Sequence, residues 1–348
     1  MNQTEERKRE HVEISLNQKV SAHHNFWDDV RLIHNALPEI NENEIDLSIE
    51  LFGKKLAAPI VISAMTGGYT DGKLINEHLA ATAEKFQLAM GVGSQRAALE
   101  NQALEDTYAI INKYKIPLKN ANIGASQIVL WEKKKILENA RKIVDMIDAD
   151  ILAVCLNFLQ EVIQPEGEAH AKGCLKAIQM LSKEFDKPIL VKESGAGISY
   201  QVAQQLHKTN IAGIDVGGAG GTSFAAVEYY RAKMKDDRYN MREGETFWDW
   251  GIPTPMSILE VRKVISPPFP VIATGGIRNG LDAAKALALG ANAAGIAHTL
   301  LDAATKNKES AFFEISAILR ELRTTMFLVG ADKIEALRNT GVKYGSKW

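Results

Sequence analysis

The sequence predicts an α/β protein, a (β/α)8 TIM barrel with an N-terminal extension and an insertion after strand 6. Three observations predict it. From Pro59 onward, short apolar runs alternate with helix-length segments eight times, the pattern of parallel strands buried on both faces. The last two runs, beginning at Val271 and Ala293, each lead through a turn into a potential helix start. Free N–H groups at such starts make an anion site, and a (β/α)8 barrel places phosphate after strands 7 and 8. Doubly wound sheets give a similar alternation, but eight near-regular units with paired phosphate turns favour the barrel.

The elements follow in order. Residues 1–58 do not alternate and form an extension, expected to act as a lid; residues 59–348 form the barrel, and the whole is one domain. Within the extension, Glu5 to His11 reads as a charged, exposed segment, and Ile45–Ile49 alternates like a short strand. The strands are Pro59–Met65, Leu88–Gly93, a weak third at Ala121–Gly124, Ile151–Leu156, Ile189–Lys192, Ile211–Val216, and those starting at Val271 and Ala293. Helices are expected over Lys73–Phe86, Ala103–Lys113, Glu132–Asp145, Cys174–Phe185, Tyr200–Lys208 and Pro255–Ile265. Asn279 can cap a helix carrying Leu281, Ala284, Leu287 and Ala288, which Gly290 stops. Gly217 to Gly251, rich in Gly, Arg, Tyr and Trp, reads as an irregular insertion.

Composition narrows the function. The 348 residues are 46% apolar, enough to fill a core. Charges nearly cancel at a formal net −2, which argues against a general nucleic-acid or membrane-surface binder. Only Cys155 and Cys174 occur, at no disulfide-scaffold or zinc spacing. No apolar leader and no run of transmembrane length is present, so a reduced, cytoplasmic location is expected, with neither nucleic acid nor membrane as partner.

Barrel chemistry gathers at the C-terminal strand ends. These read Ala64-Met65-Thr66-Gly67-Gly68, Ser94-Gln95-Arg96, Asn122, Asn157 with Gln160-Glu161, Lys192-Glu193-Ser194, then Asp215 and the glycines to Thr222. Amides, hydroxyls and cations abound, and no strand-end His-Asp pair is present. Lys192 closes an apolar strand, so its ammonium is expected in the barrel mouth beside an anion or electron-rich ring; the alternative is a lysine paired with a carboxylate such as Glu193. Glu161 can ligate a hard cation, since Mg²⁺ commonly takes one or two carboxylates plus phosphate oxygens, or it is a solvated loop residue. A helical turn would put Arg7, Lys8 and His11 on one side, although solvated charged termini are common. Arg231 could equally be a surface charge. Gly67 to Lys73 resembles part of a P-loop, but Leu74 occupies the Ser/Thr position and the match is chance. No G-x-G-x-x-G opens a helix, so a Rossmann domain has no support.

Together these segments resemble the type 2 isopentenyl-diphosphate isomerases, the FMN-dependent form of that enzyme. The likeness runs from ERKREH to GADKIEAL through MTGG, GVGSQR, LNFLQE with QPEGE, VKESGAGIS, DVGGAGGTSFA, FWDWGIPT and ATGGIRNG. It implies FMN on the barrel mouth, reduction by NADPH, and Mg²⁺ on the substrate diphosphate. By resemblance, FMN contacts fall on Ala64, Met65, Thr66, Ser94, Asn122, Lys192 and Thr222, and at the phosphate turns on Gly275, Gly276, Ile277, Arg278, Ala297 and His298. Substrate contacts fall on Arg7, Lys8, His11, Ser94, Gln95, Arg96, Asn157 and Gln160, with Ser194 and Arg231, and the metal ligand on Glu161. Cys155, Ser223 and His298 depart from the family pattern, which has His, Asn and a small residue there.

The implied reaction is a 1,3-proton shift between isopentenyl and dimethylallyl diphosphate, with reduced FMN as acid and base and with Gln160 and Lys192 as the catalytic side chains. The mouth has no evident His/Glu dyad for so weak a carbon acid, so the cofactor must carry the hard step. A homo-oligomer is the expected assembly. Two other readings compete. An FMN-dependent α-hydroxy-acid oxidase would need a strand-end His base and an Arg clamp; His207 falls in a predicted helix and His298 lacks the clamp. A flavin carrier without turnover would give Arg7, His11, Arg96, Gln160 and Glu161 no purpose.

Overall fold

The computed structural model describes residues 3–345; residues 1–2 and 346–348, the outer ends of the expected extension and barrel, lie outside the described residues. Eight parallel strands close a barrel in chain order. They are β1 (Ile60–Ile62), β2 (Ala89–Gly91), β3 (Leu118–Gly124), β4 (Ile151–Cys155), β5 (Ile189–Lys192), β6 (Gly213–Asp215), β7 (Val271–Thr274) and β8 (Ala293–Ile296). β8 closes on β1 through Gly295 opposite Val61. The predicted fold class stands.

Side chains alternate between the inside and outside of this wall. Val61, Ala89, Leu118, Ile151, Ala153, Leu190, Ile272 and Ala293 form one buried cluster with Leu51 and Leu56. Those two leucines come from a hairpin, Ile49–Leu51 paired antiparallel with Lys54–Leu56. Phe52 at its tip approaches β6 so closely that a Cβ on Gly213 would lie 2.7 Å from the Phe52 ring. The hairpin is therefore the plug of the barrel end opposite the active-site mouth. The larger core lies between the barrel and its helices, where Ile60, Ile62, Met90, Val154 and Val191 meet helix residues such as Leu79, Ile143 and Leu287.

Four expectations need correction, the first that Ile45–Ile49 is a strand: only Ile49 is, as the start of Ile49–Leu51. The Glu5–His11 segment is not an exposed tail: it lies within helix α1 (Gln3–Asn17), whose Glu10, Val12 and Ile14 are buried. The Ala103–Lys113 helix is broken into the short turns Gln102–Leu104, Asp106–Ala109 and Ile110–Lys113. The insertion after strand 6 is largely helical, with Phe224–Met234 and Arg238–Thr246 packed together. The first of these helices buries Ala225, Ala226, Val227 and Ala232, small residues that let α1 and its partner helix approach closely. Asn279 caps Gly280–Ala288 as expected, its side chain accepting from the Asp282 N–H. Among the described residues no helix is long and apolar enough to cross a membrane.

Candidate active site

The strand register brings polar residues together at the mouth. Cys155 lies opposite Lys192, and Lys192 opposite Asp215, on three adjacent strands. Lys192 Nζ sits 3.2 Å from Asp215 Oδ2 and donates to the Glu193 carbonyl at 2.8 Å. Burial alone would lower the lysine, but the Asp215 carboxylate outweighs it and holds the ammonium charged. Asp215 also accepts from Thr274 Oγ1 at 3.0 Å. The carboxylate partner of Lys192 is thus Asp215 and not Glu193. Glu193 folds back on its own turn, where Oε2 accepts from the N–H groups of Ser194, Ala196 and Gly197. Burial pushes its carboxyl up to about 7 against those backbone donors.

A cleft of ≈ 150 Å³ opens above the strand ends. Ala64, Met65, Thr66, Ser94 and Asn122 line one side; Asn157, Gln160, Glu161 and Ser194 line another; Arg96 also borders it. Arg7, Lys8 and His11 from α1 line it as well. Lys8 Nζ donates to the Ser94 carbonyl at 2.8 Å, which also accepts from the buried Tyr108 hydroxyl at 2.7 Å. Burial, with Arg7 beside it, lowers Lys8 to about 7. The Tyr108 ring underlies Gly67, at φ +125°, where a Cβ would lie 2.2 Å from a ring carbon. No other residue fits that turn.

Glu161, 7% exposed, belongs to the short helix Phe158–Ile163. Its Oε2 accepts from Gln164 Nε2 at 3.0 Å and the Glu168 N–H at 2.9 Å, and Oε1 from Asn157 Nδ2 at 3.2 Å. The carboxylate is neither solvated nor in an ion pair found among the described residues. Three neutral donors leave the carboxylate its charge and a free lone pair on Oε1, which suits a hard cation held mainly by ligand oxygens; no cluster of three or more His, Cys, Asp or Glu among the described residues could hold a metal by itself. Gln160 is oriented by two long contacts, from Asn157 Nδ2 at 3.3 Å and to Gln164 Oε1 at 3.4 Å.

Other predicted contacts lie apart from the cleft. Gln95 is wholly buried, its amide donating to the Ile143 carbonyl and accepting from the Asn122 N–H, so it shapes the Asn122 backbone and does not meet the cleft. Arg231 is neither a surface charge nor a cleft residue. At 2% exposure it is caged by Glu10 at 2.8 Å, Glu166 at 2.5 Å and Glu228 at 2.7 Å. His11 joins the cage through Glu228 at 2.7 Å. Burial opposes the Glu228 charge, but His11 and Arg231 outweigh it and hold that carboxyl below its usual range. This cage docks α1 onto the insertion. The Arg278 guanidinium turns to Asp28 and Asp282, and even its N–H goes to Asp282, so it presents no free fork at the phosphate turn. His298 Nε2 bonds the Ser15 carbonyl at 2.9 Å, away from the turn that Ala297 begins. Thr222 borders a smaller adjoining hollow that shares Ser194 with the cleft.

The site fits a flavin. Asn122 Oδ1 and Asn157 Oδ1 are buried acceptors with no partner, and both residues line the cleft. The turn Gly275-Gly276, at φ +121° and +71°, directs its carbonyls outward to Trp27 and Asn25. In trans peptides the next N–H groups, those of Gly276 and Ile277, point the opposite way, which suits a phosphate. Sequence reasoning passed over Tyr108, Gln127, Gln164, Glu168, Asn25 and Trp27. Gln164 and Glu168 begin and end the QPEGE motif, but nothing local marks Asn25 or Trp27. Cys155 lines the cleft, bonded to Ser194 Oγ at 2.9 Å, and burial pushes its thiol up to about 11. It is no nucleophile at neutral pH.

Comparison with known proteins agrees with this geometry. The model of the FMN-dependent dehydrogenase family matches residues 3–154 and 158–343. The isopentenyl-diphosphate delta-isomerase of Thermoplasma volcanium is 50% identical over 337 residues, 97% of this chain and 95% of that protein. Its counterpart in Methanosarcina acetivorans is 45% identical over 345 residues, 98% of this chain and 92% of that protein. Among solved structures, mandelate oxidase with benzoyl-formic acid superposes with a TM-score of 0.66 at 17% identity, covering 97% of this chain and 95% of that one. At that identity the likeness is one of fold. Identity of 45–50% to the isomerases over nearly the whole chain decides the matter: this chain belongs to the FMN-dependent, type 2 family of isopentenyl-diphosphate delta-isomerases.

Proposed function

We propose that this chain interconverts isopentenyl diphosphate and dimethylallyl diphosphate by a 1,3-proton shift, using FMN, NADPH as its reductant and Mg²⁺. One observation carries the reading: three basic side chains of α1, Arg7, Lys8 and His11, line the same cleft as Asn157, Gln160 and Glu161. An oxidase of small hydroxy acids has no use for so many phosphate-sized donors. A flavin carrier has no use for a covered cleft.

Each residue then has a role. Arg7, Lys8 and Arg96 bind the diphosphate, for which charge-assisted hydrogen bonds are the strongest available. Glu161 would hold Mg²⁺ for it, with Asn157 fixing the carboxylate. The FMN contacts proposed are Ala64, Met65, Thr66, Ser94 and Asn122 at the ring and the Gly275 and Ala297 turns at the phosphate. Bound and reduced, FMN supplies the acid and base for the alkene carbon. Lys192, kept cationic by Asp215, favours negative charge on the ring. Gln160 polarises or relays from its adjustable position. Docked α1 would narrow the access of water to the cleft, which strengthens every such contact. A cytoplasmic homo-oligomer is the proposed form.

The test is reconstitution. The purified chain is expected to be yellow and to isomerise isopentenyl diphosphate with FMN, Mg²⁺ and NADPH, and to stop when the reductant is withheld under air. Activity without flavin, or oxidation of an α-hydroxy acid in its place, would sink the reading.

A further inference from the structure

The extension has a second contact with the barrel, distinct from the α1 lid. Residues 20–22 pair with the loop after β6: the Ala22 N–H donates to the Gly221 carbonyl and the Ser223 N–H to the Val20 carbonyl, both at 2.8 Å. A few residues on, Asn25 Nδ2 donates to the Gly276 carbonyl and Trp27 Nε1 to the Gly275 carbonyl, again at 2.8 Å each.

These contacts are built into the fold. Trp27 is 1% exposed. Asn25 Oδ1 accepts from the Trp27 N–H at 3.0 Å, fixing the two side chains relative to each other. Lys285 Nζ, from the helix after the turn, donates to the Trp27 carbonyl at 2.7 Å, and Arg278 ties Asp28 to the same helix. The turn itself has no room to adjust by taking a side chain. A Cβ on Gly275 would meet the Gly218 carbonyl at 2.3 Å, and one on Gly276 the Gly220 carbonyl at 2.6 Å.

We propose that residues 20–28 are a brace that sets the flavin-phosphate cradle, with Asn25 and Trp27 as positioning residues for FMN; this rests on the flavin reading above. Two side-chain donors hold two successive carbonyls, and planar trans peptides then turn the Gly276 and Ile277 N–H groups to the side away from Asn25 and Trp27. The brace substitutes for an arginine fork, because Arg278 is spent on Asp28 and Asp282. Neither Asn25 nor Trp27 touches the phosphate. Each acts through the peptide it fixes.

The full-length chain, stripped of flavin, is titrated with FMN and with riboflavin, which lacks the phosphate. Asn25→Ala and Trp27→Phe are each expected to weaken FMN about fivefold, the worth of one net hydrogen bond. Riboflavin affinity is expected to stay at the parental value. Equal loss of both flavins would mean a general structural role and overturn the brace, as would unchanged FMN affinity. Asn25 is half-buried and its alanine variant is expected to fold even where Trp27→Phe does not, which far-UV circular dichroism checks. A parent chain that binds no FMN would bring down the cofactor reading and the brace with it. A parent that binds FMN, with variants that bind it equally, would bring down the brace alone.

Discussion

Arg96 grips Glu168 with both prongs, NH1 to Oε2 at 2.9 Å and NH2 to Oε1 at 3.1 Å, while the Glu168 N–H holds Glu161 Oε2 at 2.9 Å. A diphosphate that reaches Arg96 must compete with this carboxylate. Opposite signs are therefore expected for the two partners. Glu168→Gln should tighten inorganic pyrophosphate by roughly two- to fivefold, the scale of a partly exposed ion pair. Arg96→Ala should weaken it by roughly tenfold or more. Calorimetric titration at fixed Mg²⁺ measures both. Should Glu168→Gln weaken binding, Glu168 orients Arg96 and does not compete with the ligand.

Lys192 and Asp215 are a buried pair, each near 7% side-chain exposure. Removing the lysine leaves a carboxylate without its cation in the barrel, so Lys192→Met should destabilise the apoprotein by about 3–5 kcal/mol. Adding Asp215→Asn should return most of that stability, since both charges are then gone. FMN reduction should remain impaired in the double variant, because the cation beside the ring is still missing. Denaturant titration and stopped-flow reduction by NADPH separate the two effects. Full recovery of reduction would leave Lys192 as scaffold only.

Lys8 gives the site a pH dependence with a definite sign. Burial, then Arg7 and Arg96, lower it to about 7, with Glu100 opposing; Tyr108 and the Ser94 carbonyl complete its surroundings. Below that pH the free site holds the ammonium and binds an anion fully. Above it, binding must first take up a proton, so pyrophosphate affinity should fall as pH rises through 7. Lys8→Arg stays charged throughout, and its affinity should be flat from pH 6.5 to about 8.5 apart from the titration of pyrophosphate itself. A parent profile that matches the arginine variant would remove Lys8 from this role.

How much of this was legible depended on the range of the interaction. β5 reads directly from Ile189–Lys192 because four residues suffice to identify a buried strand before a loop, and the Asn279 cap is just as local. β3 looked short because Lys119, Asn120 and Asn122 interrupt its apolar run, yet it is the seven-residue strand Leu118–Gly124. Those polar groups are satisfied, where satisfied, by partners from elsewhere: Asp148 for Lys119, Val92 for Asn122. The failures are stronger cases of the same effect. Glu10 is buried because Arg231 neutralises it from 221 residues away. Arg231 looks like a surface charge until α1 covers it. No window of neighbouring residues contains either fact, whereas the glycine turns and amide-rich strand ends carry their chemistry within a few positions.

The two parts of the extension are expected to serve different ligands. α1 places Arg7, Lys8 and His11 over the cleft, and residues 20–28 contact the Gly221 and Gly275 loops. Deleting residues 1–11 removes the first set and spares the second. Glu10 goes too, but Arg231 keeps Glu166 and Glu228, so no buried cation is stranded. The truncated chain should fold, bind FMN like the parent and accept electrons from NADPH, and it should have lost isomerase activity. The single variant Arg7→Ala should cost roughly 1.5–3 kcal/mol of substrate binding with FMN affinity unchanged. Flavin fluorescence and product assay, run on both variants, read the two ligands separately. Parental turnover by the truncated chain would make α1 a bystander and leave the diphosphate to Arg96 and the Glu161-bound metal.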